Sequence, residues 1–264
     1  MSIGNPRILV QRDGPLATVV LSNPDKLNAL TVAMWQELGR VMNALSDDDA
    51  LRCIVLRGGG RAAFASGADI EEFAQSRDNV QQGKRYHREY VRGALVAVGE
   101  CRHPTIAMIH GPCIGGGLEI ACQCDLRIAG SSGRFGVPIN RLGFAIAYDE
   151  LAALLPLVGR AVALEILVEG RVWDADEAHR KGLLTRVVTD ERLEEECYAA
   201  ARGIAEGAPL VNRWHKQFVR RLTPQPAPLS ASEIDENFAY FDTQDYRAGM
   251  KAFRAKKKPK FIGR

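Results

Sequence analysis

The segment from His110 to Glu119, HGPCIGGGLE, constrains this chain most, because it sets three successive glycines between an apolar run and a helix-forming run. Thr105–Ile109 is apolar and rich in β-branched residues and predicts a buried strand; Leu118–Cys122 predicts the helix that follows. Glycines at the joint let a ligand approach the backbone closely. The unpaired N–H groups of a first helical turn, aided by the helix dipole, favour negative charge there, which is the raw material of an oxyanion hole. Glu119 follows Gly116 by three residues, a spacing that shares a helix face, so its carboxylate can stand beside a carbonyl held by the Gly116 N–H. The same residues also read as a tight strand–helix turn with a solvated glutamate, and a glycine run alone does not choose between the two.

The remaining composition narrows the field. A chain of 264 residues with 46% hydrophobic and 25% charged residues is an ordinary globular composition with room for a large core. Thirty-five basic against 32 acidic residues leave a net charge of +3, which is no polycation for nucleic acid. The start, MSIGNPRILVQRDG, has no apolar core of signal-peptide length, and no apolar run elsewhere approaches the roughly 18 residues of a spanning helix, so a cytoplasmic location without a membrane partner is expected. The six cysteines, several inside apolar runs such as Ile120–Cys124, read as reduced, buried hydrophobes rather than a disulfide framework. Neither their spacing nor that of the five histidines suits a structural metal.

Strand and helix patterns alternate along the chain. Ile8–Val10 and Ala17–Leu21, joined across Asp13–Gly14, predict a hairpin. Thr31 is placed to cap a helix whose apolar face holds Met34, Leu38, Val41, Met42 and Leu45. Cys53–Leu56 predicts a strand, followed by the loop GGGRAAFASGAD, a short helix at Ile70–Phe73 and a long amphipathic helix from about Val80 to Cys101. Leu126–Ala129 and Arg134–Val137 predict further strands. Asp149 is the expected cap for a helix over Glu150–Val158, and Asp174 or Asp176 for the next. Beyond Val188 the pattern is helical, broken at Pro224–Pro228. A boundary falls near residue 190, giving a core over residues 1–190 and a helical region over 191–264. The dinucleotide G-x-G-x-x-G, a Walker-type G-K-[ST] and a serine-hydrolase G-x-S-x-G do not occur.

The loop from Gly58 to Asp69 repeats the construction of the glycine joint, a strand running through a flexible turn into a helix start. With FASGADI at Phe64–Ile70 and HGPCIGGGLEIACQCDLRIA at His110–Ala129 in this order, together with DKLNAL at Asp25–Leu30, FGVP at Phe135–Pro138 and AGMKAFRAKKKPKF near the end, the chain resembles the enoyl-CoA hydratase and isomerase family, the crotonase superfamily, over almost its whole length. The resemblance implies an α/β fold, a crotonase-like spiral of ββα units with a helical C-terminal trimerisation region, and a homotrimer or dimer of trimers. It also implies an acyl-CoA thioester as ligand, with coenzyme A as part of the substrate and no separate cofactor. The thioester oxygen would lie between the N–H groups of Ala68 and Gly116, where charge develops in an enolate-like intermediate. Glu119 would be the general base that activates water for addition at Cβ.

Further positions follow from the same resemblance. Lys26 and Leu27 would lie beside the CoA nucleotide, as would the run Lys256–Lys260 and Phe261. Ser66, Asp69, Ile70 and Gly115 belong to the two substrate-facing turns, although Asp69 as a side chain also reads as a cap. Asp125 and Arg127 read as buried structural polar contacts, and Phe73, Tyr86, Tyr90, Phe135 and Tyr148 as pocket or core.

One departure matters. Where two-glutamate hydratases carry their second glutamate after the proline of FGxP, this chain has Ile139, which cannot move a proton. The glycine-rich turn usual a few residues later is replaced by GFAIAYDE at Gly143–Glu150. Three readings stay open: a one-glutamate hydratase with a water, Tyr148, Asp149 or Glu150 supplying the second proton; another reaction through the same enolate, such as isomerisation, thioester hydrolysis or decarboxylation; or a noncatalytic acyl-CoA- or RNA-binding protein.

Overall fold

The structure is a computed structural model that describes residues 5–223 and 228–262. The hairpin forms where the alternation predicts it, with β1 (Arg7–Asp13) antiparallel to β2 (Leu16–Ser22) across Gly14, whose φ of 53° suits a residue without Cβ. From β2 onward the large sheet is parallel. β3 (Cys53–Gly58), β4 (Thr105–Ile109), β6 (Leu126–Gly130) and β9 (Arg186–Val188) add in the order β1-β2-β3-β4-β6-β9. A smaller sheet of β5 (Pro112–Ile114), β7 (Arg134–Gly136) and β8 (Val172–Asp174) stands beside it.

Successive strands of the large sheet each turn a corner into the small one and then enter a helix. β4 passes through Gly111 into β5 and then α5 (Gly116–Gln123); β6 passes into β7 and then α6 (Tyr148–Val168). At the earlier corners a single bridge stands in for the second strand, Ala65 to Cys113 and Leu30 to Ala68. The corners must be tight, since a Cβ on Gly111 would lie 2.3 Å from the Ala62 carbonyl oxygen. This is the expected spiral of strand–strand–helix units, and its two glycine joints lie at neighbouring corners.

Helices close both faces of the large sheet. α1 (Val32–Asp47), capped by Thr31 as the sequence predicts, buries Met34, Leu38, Val41, Met42 and Leu45, and Trp35 beside them. α8 (Asp190–Glu206) covers the other face, packing Leu193, Cys197 and Ala201 against Val55, Ile106 and Ile128. The six cysteines are buried and unpaired.

Several sequence expectations need correction. The short helix predicted at Ile70–Phe73 is a 3-10 turn at Ile70–Glu72 followed by α2 (Phe73–Ser76). The helix predicted over Val80–Cys101 is interrupted: α3 (Val80–Arg85) and α4 (Arg92–Gly99) flank a π-helical turn at Tyr86–Val91. α6 starts at Tyr148 with Ala147 as its cap, so Asp149 lies in the first turn and pairs with Arg92 instead of capping. α6 is also long and apolar enough to cross a membrane by length and composition, contrary to the sequence expectation. Gly159, at φ 75° and ψ 169°, breaks it into two arms. Asp125 keeps its polar contacts, to Thr105 and Lys216, but at the surface. Of the break at Pro224–Pro228, residues 224–227 lie outside the described residues.

Candidate active site

The two glycine joints meet. Gly67 (φ 105°) and Gly115 (φ 50°, ψ −120°) both adopt backbone conformations closed to L side chains, and a Cβ on Gly115 would lie 3.9 Å from the Gly67 Cα. Each glycine sets the orientation of the peptide that follows it, and those peptides carry the N–H groups of Ala68 and Gly116. At Ala68 the bridge to Leu30 fixes the direction: Leu30 N–H donates to the Gly67 carbonyl (2.8 Å) and Asp69 N–H to the Leu30 carbonyl (2.8 Å). In that pattern the Ala68 N–H points away from Leu30. Gly116 is the first residue of α5, so its N–H has no partner within the helix. Both residues line one cavity of about 270 Å³.

Neighbouring residues hold these turns in place. The Asn28 amide, from a left-handed backbone position (φ 57°), donates to the carbonyls of Ala63 (2.8 Å) and Gly59 (3.2 Å). Ser66 donates through its hydroxyl to the Lys26 carbonyl (3.0 Å), and Gly115 N–H donates to the Gly136 carbonyl (2.9 Å). Trp35 supports Gly116 from below: a Cβ there would come within 2.8 Å of its ring, so only glycine fits.

The cavity collects Ser66, Ala68, Ile70, Gly115, Gly116, Glu119 and Ile139 from the sequence-predicted set, along with Phe73 and Tyr86. Lys26, Leu27, Asp69 and Tyr148 lie elsewhere. Lys26 is tied to Asp69 (2.8 Å) and Glu71 (2.7 Å), Leu27 is exposed, and Asp69 is buried, accepting from the Glu71 N–H as a cap. Tyr148 is exposed at a second cavity of about 680 Å³. Phe135 is core; His110 is buried against Asp190. Lys256, Lys257 and Lys258 are exposed.

Three cavity residues carry chemistry beyond the predicted set: Glu150, which the sequence offered only as one of three proton donors, and His87 and Arg77, which it did not single out. Glu150 reaches the cavity from the first turn of α6. It is buried, sits 2.5 Å from His87 Nδ1 and accepts from the Ala147 N–H at 3.1 Å. His87 and Glu150 also line the second cavity, so this pair is the wall between the two. His87 Nε2 is buried without a hydrogen-bond partner among the described residues. The π-helical turn places the adjacent residues Tyr86 and His87 at one cavity. Tyr86 accepts from Trp35 Nε1 (2.8 Å), and burial pushes its hydroxyl up to about 12, so it stays neutral.

The two glutamates are driven apart. Burial first, and the Glu150 charge second, push the Glu119 carboxyl well above the usual carboxylate range, against a smaller downward pull from Arg77. Burial pushes on Glu150 as well, but the His87 charge and hydrogen bond, the Ala147 N–H and Arg77 together outweigh it and hold that carboxyl below the usual range. The pair therefore favours a state with one proton, resident on Glu119.

A spiral of strand–strand–helix units whose neighbouring corners meet at one cavity that also holds two carboxyls defines a crotonase-type fold. The chain belongs to the enoyl-CoA hydratase/isomerase family, whose sequence signature matches residues 11–264. It is 36% identical over 257 residues to a probable enoyl-CoA hydratase of Rhizobium meliloti (strain 1021), covering 96% of this chain and 97% of that one. It is 30% identical over 256 residues to the short-chain-enoyl-CoA hydratase of Clostridium acetobutylicum, covering 95% of each. Among solved structures it is similar to an enoyl-CoA hydratase/carnithine racemase from Magnetospirillum magneticum (49% identity, TM-score 0.81, 100% of this chain and 97% of that one). It is also similar to methylmalonyl-CoA decarboxylase in complex with 2-nitronate-propionyl-CoA (27% identity, TM-score 0.86, 97% and 98%).

Proposed function

We propose that this protein hydrates a 2-enoyl-CoA thioester. The observation that carries the reading is the pair of glycine-oriented N–H groups, Ala68 and Gly116, opening on a cavity that also holds two carboxyls of divided acidity. The thioester oxygen lies between the two donors. Water adds to Cβ and gives its proton to the Glu150 carboxylate; the double-bond electrons pass to the thioester oxygen as an enolate, which the N–H groups stabilise. The enolate then collapses and Cα takes the Glu119 proton. Transfer of the Glu150 proton to Glu119 restores the starting state. This assigns the base to Glu150 and the acid to Glu119, where the sequence alone gave Glu119 the base's part. Glu150 thereby supplies the second carboxyl that Ile139 lacks, with the two roles exchanged.

The test is incubation of the purified protein with crotonyl-CoA and with longer, branched and aromatic enoyl-CoAs, following the 3-hydroxyacyl thioester, the shifted double bond and free CoA separately. The expected product is the 3-hydroxyacyl thioester from at least one substrate. Only a shifted double bond or only free CoA rejects hydration in favour of another reaction through the enolate, and no thioester binding rejects the site.

The helical region is the proposed subunit contact. α9 (Pro209–Leu222) buries none of its residues and exposes Leu210, Trp214, Phe218 and Leu222, spaced at successive turns along one face. We expect a trimer or a dimer of trimers by analytical sedimentation, and dissociation to monomers when Trp214 and Phe218 are both replaced by glutamate. A monomeric wild type rejects this assignment.

A further inference from the structure

Arg77 is the cavity's unused cation. It follows α2, is only 5% exposed, and has no carboxylate within ion-pair distance among the described residues. Its guanidinium lies between two rings, 3.9 Å from the centroid of Phe73 and 3.8 Å from that of Tyr86, so its flat faces are covered. Nε is buried without a partner, and the side chain makes no hydrogen bond to any described residue, while the group lines the cavity. Its backbone, by contrast, is held at both ends: its N–H donates to the Phe73 carbonyl (2.8 Å) and its carbonyl accepts from the Tyr246 hydroxyl (2.7 Å).

A buried guanidinium is costly unless something accepts its hydrogen bonds, and stacking on two rings offsets that cost only in part. Glu150 is already engaged with His87 and Ala147, and Glu119 is the carboxyl that favours its proton. A neutral acyl chain filling the cavity would strip the remaining water from the guanidinium edge and return nothing. A carboxylate would meet that edge with paired, charge-assisted hydrogen bonds. We infer that the acyl group carried by this site ends in a carboxylate, which Arg77 binds through its open edge between the Phe73 and Tyr86 rings. The inference rests on the thioester reading above and names the class of acyl chain.

Saturated thioesters test it without any chemistry at the double bond. Calorimetric binding of succinyl-, glutaryl- and adipyl-CoA is compared with that of butyryl-, valeryl- and hexanoyl-CoA, matched in chain length. At least one carboxylated thioester is expected to bind about 10- to 100-fold more tightly than its neutral counterpart. That ratio should fall to about one in Arg77→Met and stay intermediate in Arg77→Lys, which keeps the charge but loses the planar fork. A wild-type ratio near one for every pair overturns the inference, as does a ratio that survives in Arg77→Met. Equal weakening of both members of a pair in that variant overturns it too, because Arg77 would then only balance the charge of the two glutamates. Should Arg77→Met fail to fold, the wild-type ratio and Arg77→Lys decide alone. Selective binding without hydration of any enoyl-CoA rejects the hydratase reading and keeps this one; hydration with a ratio of one does the reverse.

Discussion

Glu119→Gln is expected to lower kcat for hydration by about 10²- to 10⁴-fold, the usual worth of a positioned acid or base, with a much smaller change in KM. The amide keeps the shape and the place on α5 but cannot deliver a proton to Cα. The N–H groups of Ala68 and Gly116 are backbone and are untouched, so thioester binding persists. Stability moves the other way. A carboxyl whose folded pKa lies above its unfolded one contributes stability that is full below the unfolded value and is lost as pH rises through the folded one. Wild type should therefore lose melting temperature relative to Glu119→Gln as pH is raised from the usual carboxylate range upward. Steady-state kinetics on the substrate found by the enoyl-CoA panel and melting curves across pH check both halves. Unchanged turnover in the variant removes Glu119 from the mechanism.

The sequence made part of this legible because burial of one face leaves a period behind. Thr105–Ile109 is a strand at its predicted bounds, Thr31 caps α1, and FASGADI and GGGLE mark the two positive-φ glycines that orient the donors. That Glu119, Ala68 and Gly116 come together at one cavity was legible because they belong to those marked turns. Arg77 and His87 carry no such mark. Arg77 sits among polar residues between two short helices and reads as surface until Phe73 and Tyr86 enclose it. His87 lies in a π-helical turn, where the phase of the helical period slips, so its facing toward the cavity is not given by spacing. The place of Glu150 depends on where α6 begins: with Ala147 rather than Asp149 as cap, its carboxylate folds back onto the helix start and faces His87. That choice is made by tertiary contacts, among them the pairing of Asp149 with Arg92 and of Tyr148 N–H with Asn237.

Glu150→Gln separates a catalytic Glu150 from one that only caps α6, and a loss of about 10²- to 10⁴-fold in kcat is expected because the acceptor of the water proton is gone. In wild type the working state needs Glu150 ionised and Glu119 protonated, so kcat/KM should fall as pH drops through the depressed Glu150 value and fall again as pH rises through the elevated Glu119 value. Removing the Glu150 charge removes one of the two influences that hold Glu119 up, so the alkaline limb of the residual activity should move to lower pH. Stability again supplies the control. A carboxyl held below its unfolded value contributes stability present above the unfolded value and lost as pH falls through the folded one, so wild type should lose its stability advantage over Glu150→Gln in acid. Near neutrality the variant should be less stable by about 1–3 kcal/mol, for the weakened bond to His87 and the weakened cap on Ala147. A purely structural Glu150 would give that same melting shift, and the same shift of the alkaline limb through Glu119, with kcat unchanged, and that result would hand the acceptance of the water proton to another group.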